Sequence, residues 1–163
     1  MMSEPTEAQL AVIGNAVEMM RQFGSYDAEQ HEDLRVSVAI PIYELDEARL
    51  DDMDALASAT ASGYRFLVDG SPGLLAIDIT GDDQPALLGA VHGVAADTLA
   101  RHLTRLKVTP AAEARILTIR GMRAEALWLA RSGKLATLIG AGEKNFLGAT
   151  RRLRDGEPDK SNQ

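Results

Sequence analysis

The sequence predicts an α+β fold, an antiparallel sheet of about five strands with helices packed mainly on one face, in the order α-β-α-β-β-α-β-β-(α). Three observations predict it. Apolar residues recur at three- and four-residue spacing in some segments and at alternate positions in others. Alternating segments are joined by short glycine-bearing turns, which pair neighbouring strands antiparallel. The 163 residues suit one domain, expected over 1–153, with 154–163 as a disordered tail.

The elements follow in chain order. Thr6 to Phe23 carries Leu10, Ile13, Val17 and Met20 on one helical stripe, with Thr6 to cap the helix and Gly24 to end it. Residues 24–34 read as a polar, acidic loop. Arg35 to Ile42 alternates, with Val36, Val38, Ile40 and Ile42 on one side, and Pro41 suits an edge or an end. Asp46 to Ala61 reads as a second helix. Leu50, Met53, Ala57 and Ala61 form its stripe, and Asp51, Asp52 and Asp54 sit near the positive end of its dipole. Gly63 stops it.

Tyr64 to Asp69 and Leu74 to Thr80 read as a hairpin closed by the GSPG turn at 70–73. Ala86 to Leu106 has the strongest helical pattern, with Leu88, Val91, Ala95, Leu99, Leu103 and Leu106 on one face and Pro110 beyond it. Residues 114–131 read as one long strand broken by a bulge near Gly121. A turn at Ser132-Gly133-Lys134 leads to a strand over Leu135 to Gly140, and a short helix is expected from Gly142 to Leu153.

Composition narrows the function classes. Hydrophobic residues make up 45% and charged residues 25%, the mix of a chain that builds an ordinary core. The absence of cysteine excludes disulfides, thiolate metal sites and cysteine nucleophiles. The start, MMSEPTEAQL, has neither a basic region nor an apolar run, so a cytoplasmic location without a membrane span is expected. Aromatics are 4% of the chain, too few for stacking on single-stranded nucleic acid. The net charge of -7 is unevenly spread: residues 1–63 hold 13 acids and 3 bases, whereas 101–154 hold 3 acids and 12 bases. Two acidic-to-basic readings follow. Either the halves neutralise each other in the fold, or the arginine-rich part faces an acidic partner. Nucleic acid is disfavoured, because it would also meet the acidic N-terminal part.

The stretch EARILTIRGMRAEALWLARSG, residues 113–133, resembles hairpins of uncharacterised bacterial proteins, and that resemblance implies no activity. The element order is similar to that of secretion-chaperone-like domains, which implies a small, acidic, dimeric binding protein. The extra helix expected after the first strand departs from that pattern.

Few residues point to chemistry. Neither GxxxxGK[ST] nor GxGxxG occurs; Gly140-Ala141-Gly142-Glu143-Lys144 is a strand-to-helix turn whose N–H groups can meet a phosphate. Asp69, Asp82 and Asp83 are the candidate metal ligands, as carboxylates at neighbouring strand ends suit Mg²⁺ or Ca²⁺. Asp78 and His92 are the candidate catalytic residues, with Ser71 or Ser132 as a serine to complete a spatial triad, although GxSxG is missing. Arg120, Arg123 and Arg131 fall on one face if a bulge resets the strand, and with Trp128 they form the candidate binding surface. The expectation is a non-catalytic binding module with no cofactor, acting through a protein partner or homodimerisation. The alternative is a small metal-dependent or hydrolytic enzyme using the acids of residues 69–83.

Overall fold

The computed structural model describes residues 4–22, 35–37, 39–52, 54–70, 73–81, 83–92, 94–106, 114–130, 133–139 and 153. Two α-helices and eight strands make a mixed α+β fold: α1 (Glu7–Gln22), β1 (Arg35–Val36), β2 (Ile40–Asp46), β3 (Thr60–Gly70), β4 (Gly73–Thr80), β5 (Leu87–His92), α2 (Val94–Leu106), β6 (Ala114–Arg120), β7 (Ala124–Leu129) and β8 (Lys134–Ile139). The strands form one sheet in the order β5-β4-β3-β2-β6-β7-β8, with β1 beside β3.

α1 starts where the sequence places it. The Gln9 amide donates to Thr6 Oγ1 at 3.2 Å and the Thr6 amide donates to Gln9 Oε1 at 2.9 Å, a reciprocal cap that satisfies two N–H groups left over by the first turn. Ile13, Ala16 and Val17 are its buried face.

Four segments depart from expectation. Arg35 to Ile42 is not one strand: it is divided between β1 and β2, and Val36 packs in the core under α1 while Ile40 and Ile42 pack in the core under α2. Asp46 to Ala61 is not a helix. It holds two 3-10 turns, Glu47–Arg49 and Leu56–Ser58, and its end already belongs to β3. Asp46 caps the first turn through Oδ1, which accepts from the Ala48 amide at 3.0 Å. The expected helix over Ala86 to Leu106 is a strand followed by a shorter helix. The expected long strand over 114–131 is a hairpin: Ile119 pairs with Ala124 across the turn 121–123, where Gly121 has φ +96° and Arg123 has φ +49°. The helix expected over 142–153 (Leu153 apart), the tail 154–163 and the glycine turn 140–144 lie outside the described residues, as do the loop 24–34, Ser71 and Ser132.

The sheet is also neither five-stranded nor purely antiparallel. β2 pairs parallel with β6, Ile42 opposite Ile116 and Leu45 opposite Ile119; every other pairing is antiparallel. The seam joins two chain-local meanders, β2–β5 and β6–β8.

Alternation along the strands sends side chains to two separate cores, so the helices lie on opposite faces rather than mainly on one. α1 packs Ile13, Ala16 and Val17 on Phe66, Val68, Leu75, Ile77 and Ile79. α2 packs Ala96 and Leu99 on the other face, against Ile40, Ile42, Leu67, Ala76, Ala114, Ile116 and Leu127. It touches β4 and β5 on one side and β8 on the other, so the sheet curves round it. The α1 face continues over β6 and β7, where Leu50, Ala55 and Leu56 cover Leu117, Ile119, Ala126 and Trp128.

Candidate functional site

α2 covers one end of the concave face. At the other end the inward positions turn polar. From β3 comes Arg65, 6% exposed, the buried charged residue among those described. Its register partner on β4 is Asp78. Nε and Nη2 of Arg65 donate to Oδ1 and Oδ2 of Asp78 at 2.6 and 2.8 Å. Nη1 and Nη2 also donate to Oε2 and Oε1 of Glu125 on β7, both at 2.8 Å. The planar fork of arginine suits two such bidentate grips. Burial draws the guanidinium's affinity for its proton down, but the hydrogen bonds and charges of Asp78 and Glu125 outweigh it and hold the group above the ordinary arginine value.

Beyond this triad lies a cavity of about 300 Å³ lined by Glu44, Thr118, Ile119, Arg120, Arg123, Ala124 and Glu125. Arg120 donates from Nη2 to Glu44 Oε2 at 2.7 Å, and this bond and charge, with Asp46 further off, raise its affinity for the proton. Thr118 is turned to the backbone, its Oγ1 donating to the Tyr43 carbonyl at 3.2 Å. Arg123 is exposed at the rim and has no ion-pair partner among the described residues. Glu44–Arg120 joins the acidic N-terminal part to the basic C-terminal part, whereas in Arg65–Glu125 the base comes from the middle of the chain and the acid from the basic part.

The residues singled out by sequence do not converge. Asp78 is held by Arg65. The ladder places Asp78 opposite Gly89 and His92 opposite Leu75, so the two positions are three residues apart along it, about 10 Å. Asp69 is exposed beside the β3–β4 turn, opposite Leu74, whereas Asp83 is exposed in the loop past the far end of β4, about 20 Å away along the strand. Asp82 and Arg131 lie outside the described residues. Among the described residues no group of three His, Cys, Asp or Glu is placed to hold a metal ion.

Arg120 and Arg123 share the cavity rim, but Trp128 is buried on the other face. Its ring meets Tyr43 edge-on at 5.8 Å, and the Arg115 guanidinium stands over both rings, 4.8 Å from Tyr43 and 5.1 Å from Trp128. Arg115, not Arg120 or Arg123, is thus the arginine that Trp128 meets. Sequence reasoning missed Arg65, a lone base between Arg49 and Arg101 flanked by strand residues. Its isolation amid YRFLV was the available signal.

A second feature lies at the sheet edge. Among the described residues the exposed large hydrophobics are Leu10 and Met19 on α1 and Leu87, Leu88 and Val91 on β5. β5 is an edge strand, and α1 packs against β4 and β5. On the six-residue edge strand, Leu87 is 39%, Leu88 55% and Val91 44% exposed. No family model matches the chain, and neither a curated protein nor a solved structure matches it. No helix among the described residues is long and apolar enough to cross a membrane.

Proposed function

We propose that the protein is a non-catalytic interaction module that binds a protein strand at the β5 edge. The observation that carries this reading is that Leu87, Leu88 and Val91 are all exposed on one edge strand, Leu87 opposite Ile79 on the α1 face and Val91 opposite Ala76 on the other. An edge strand presents unpaired N–H and C=O groups, and stable proteins blunt such edges with lysine, proline or inward charge. β5, LLGAVH, contains none of these, and its one irregularity is a shift of register against β4 at Leu88. Main-chain bonds to an added strand supply affinity, and the apolar side chains supply a contact surface.

The arginine surface anticipated from sequence has a smaller part in this reading. Arg120 is paired to Glu44, which favours internal neutralisation of the two oppositely charged parts; Arg123 remains as a rim contact for an acidic group. The alternative enzyme has less behind it, because Asp78 is engaged by Arg65 and Asp69 and Asp83 stand at opposite ends of β4.

The test is affinity capture on the wild-type chain, Leu88→Glu/Val91→Glu and Arg120→Glu/Arg123→Glu, alongside size measurement of each. Loss of a stoichiometric contact, to itself or to another protein, in the edge variant alone is the expected result. If the edge variant keeps every contact, the reading is wrong; if the arginine variant alone loses one, the binding surface is the cavity rim instead.

A further inference from the structure

The occupant of the β5 edge is a second copy of this chain: we infer that two β5 strands pair antiparallel about a two-fold axis and join the two sheets. The inference rests on the edge-binding reading and names its partner. Two observations select a second copy. First, between Asp83 and Asp97 the chain holds no charged residue. In a protein of net charge -7, this is where two identical molecules approach with least repulsion, and it offers no charge pattern by which to select a different partner.

Second, the edge is complementary to itself. Ala90 pairs with Ile77 and packs toward α1, so Gly89 and Val91 belong to the opposite face. A two-fold axis perpendicular to the sheet keeps each strand face on its own side, so the paired residues must share parity. An axis at Ala90 satisfies this. It places Ala90 opposite Ala90, and Val91 of each copy opposite Gly89 of the other. A side chain added at Gly89 would meet nothing within 4 Å. The exposed valine of one copy therefore faces the open position of its neighbour, twice over. Such an isologous contact closes on itself and leaves neither β5 edge open. β5 has six residues and is about 20 Å long, so the strand pair is short.

The absence of cysteine makes the register directly testable. Paired antiparallel residues have Cα atoms about 4.5–5.5 Å apart, within disulfide range. Ala90→Cys is therefore expected to form a covalent dimer under mild oxidation, and the control Thr104→Cys, exposed on α2, to do so far more slowly. The unmodified chain, followed by light scattering from about 1 to 200 μM, is expected to pass from monomer to dimer across the micromolar range of binding constants, needing no variant to fold. Leu88→Glu/Val91→Glu is expected to remain monomeric with an unchanged circular dichroism spectrum. A wild-type chain that stays monomeric throughout overturns the inference. So does a dimer in which Ala90→Cys cross-links no faster than the control. A monomer that captures another protein, and loses it on Leu88→Glu/Val91→Glu, overturns self-pairing while the edge-binding reading stands; a dimer indifferent to that variant overturns both.

Discussion

Replacing Arg65 by methionine tests what holds the polar end of the concave face. The change removes four hydrogen bonds to carboxylates and keeps most of the side-chain volume. At about 1.5–3 kcal/mol for each charge-assisted bond, the sum is a ceiling well above the net effect. Asp78 and Glu125 keep 23% and 18% side-chain exposure, so water recovers part of the loss. Removing one member of a buried ion set costs about 3–5 kcal/mol, and partial exposure favours the lower end, about 3 kcal/mol.

Urea unfolding followed by circular dichroism is the assay. With a slope near 2 kcal/mol per molar, the midpoint falls by about 1.5 M. With the cation gone, two carboxylates that shared its Nη2 are left facing each other without a counter-charge. In the wild type Arg65 is held above its ordinary value, so its contribution is present below the free-arginine range and is lost only above it; across the assay range it is constant. Arg65→Met/Asp78→Leu/Glu125→Leu recovers most of the loss, because the set is then replaced rather than broken. A single variant within about 1 kcal/mol of wild type would refute the reasoning, as would a triple variant as unstable as the single one.

Three further outcomes are expected. Gly63→Ala destabilises by about 2 kcal/mol or more in the same assay, because its Cβ collides with the Ile79 carbonyl oxygen and crowds Leu88. At the β6–β7 turn the two left-handed positions respond in opposite directions: Gly121→Ala loses about 1–2 kcal/mol and meets Glu47, whereas Arg123→Gly gains up to about 1 kcal/mol by relieving the strained backbone. Millimolar Mg²⁺, Mn²⁺ or Ca²⁺ leaves the melting temperature unmoved, since Asp69 and Asp83 are too far apart to share an ion and Asp78 is held by Arg65; a clear rise would restore the metal reading.

Short-range patterns were the legible part of the sequence. The Thr6 cap, the Ile13 and Val17 part of the α1 stripe and the β3–β4 hairpin depend on residues close in the chain and stand where the spacing puts them, whereas Leu10 of the expected stripe is exposed and Ala16 is buried instead. The misread segments show how a period can mislead. Leu88 and Val91 continue the three- and four-residue spacing of α2, yet Gly89 and Gly93 weaken a helix there, and pairing with β4 takes Leu87–His92 into the sheet. Thr60 to Gly63 carries little apolar signal, but β2 supplies partners for Thr60, Ala61 and Gly63, with β4 joining from Gly63, so β3 begins well before its hydrophobic run. Gly121 marks an interruption in the sequence, but the positive φ of Arg123, which completes a turn rather than a bulge, has no compositional mark.

The candidate site was less legible, because its contacts join distant parts of the chain. Arg65 and Glu125 are 60 positions apart, and nothing local announces their meeting. The charge asymmetry hinted at pairs such as Glu44–Arg120, but Arg65–Glu125 runs against it, with its acid in the basic segment.

The parallel seam has a consequence for how the chain is made. During synthesis β2–β5 can close as a local meander while β2 waits for β6, with 74 positions separating Ile42 from Ile116. Until then the strand IPIYELD offers an open rim to any passing nascent chain, and closing so long a loop is slow. The Arg65–Glu125 grip crosses that same join. It acts as a latch that engages only after the last third has docked, so weakening it should lengthen the aggregation-prone interval as well as lower the final stability.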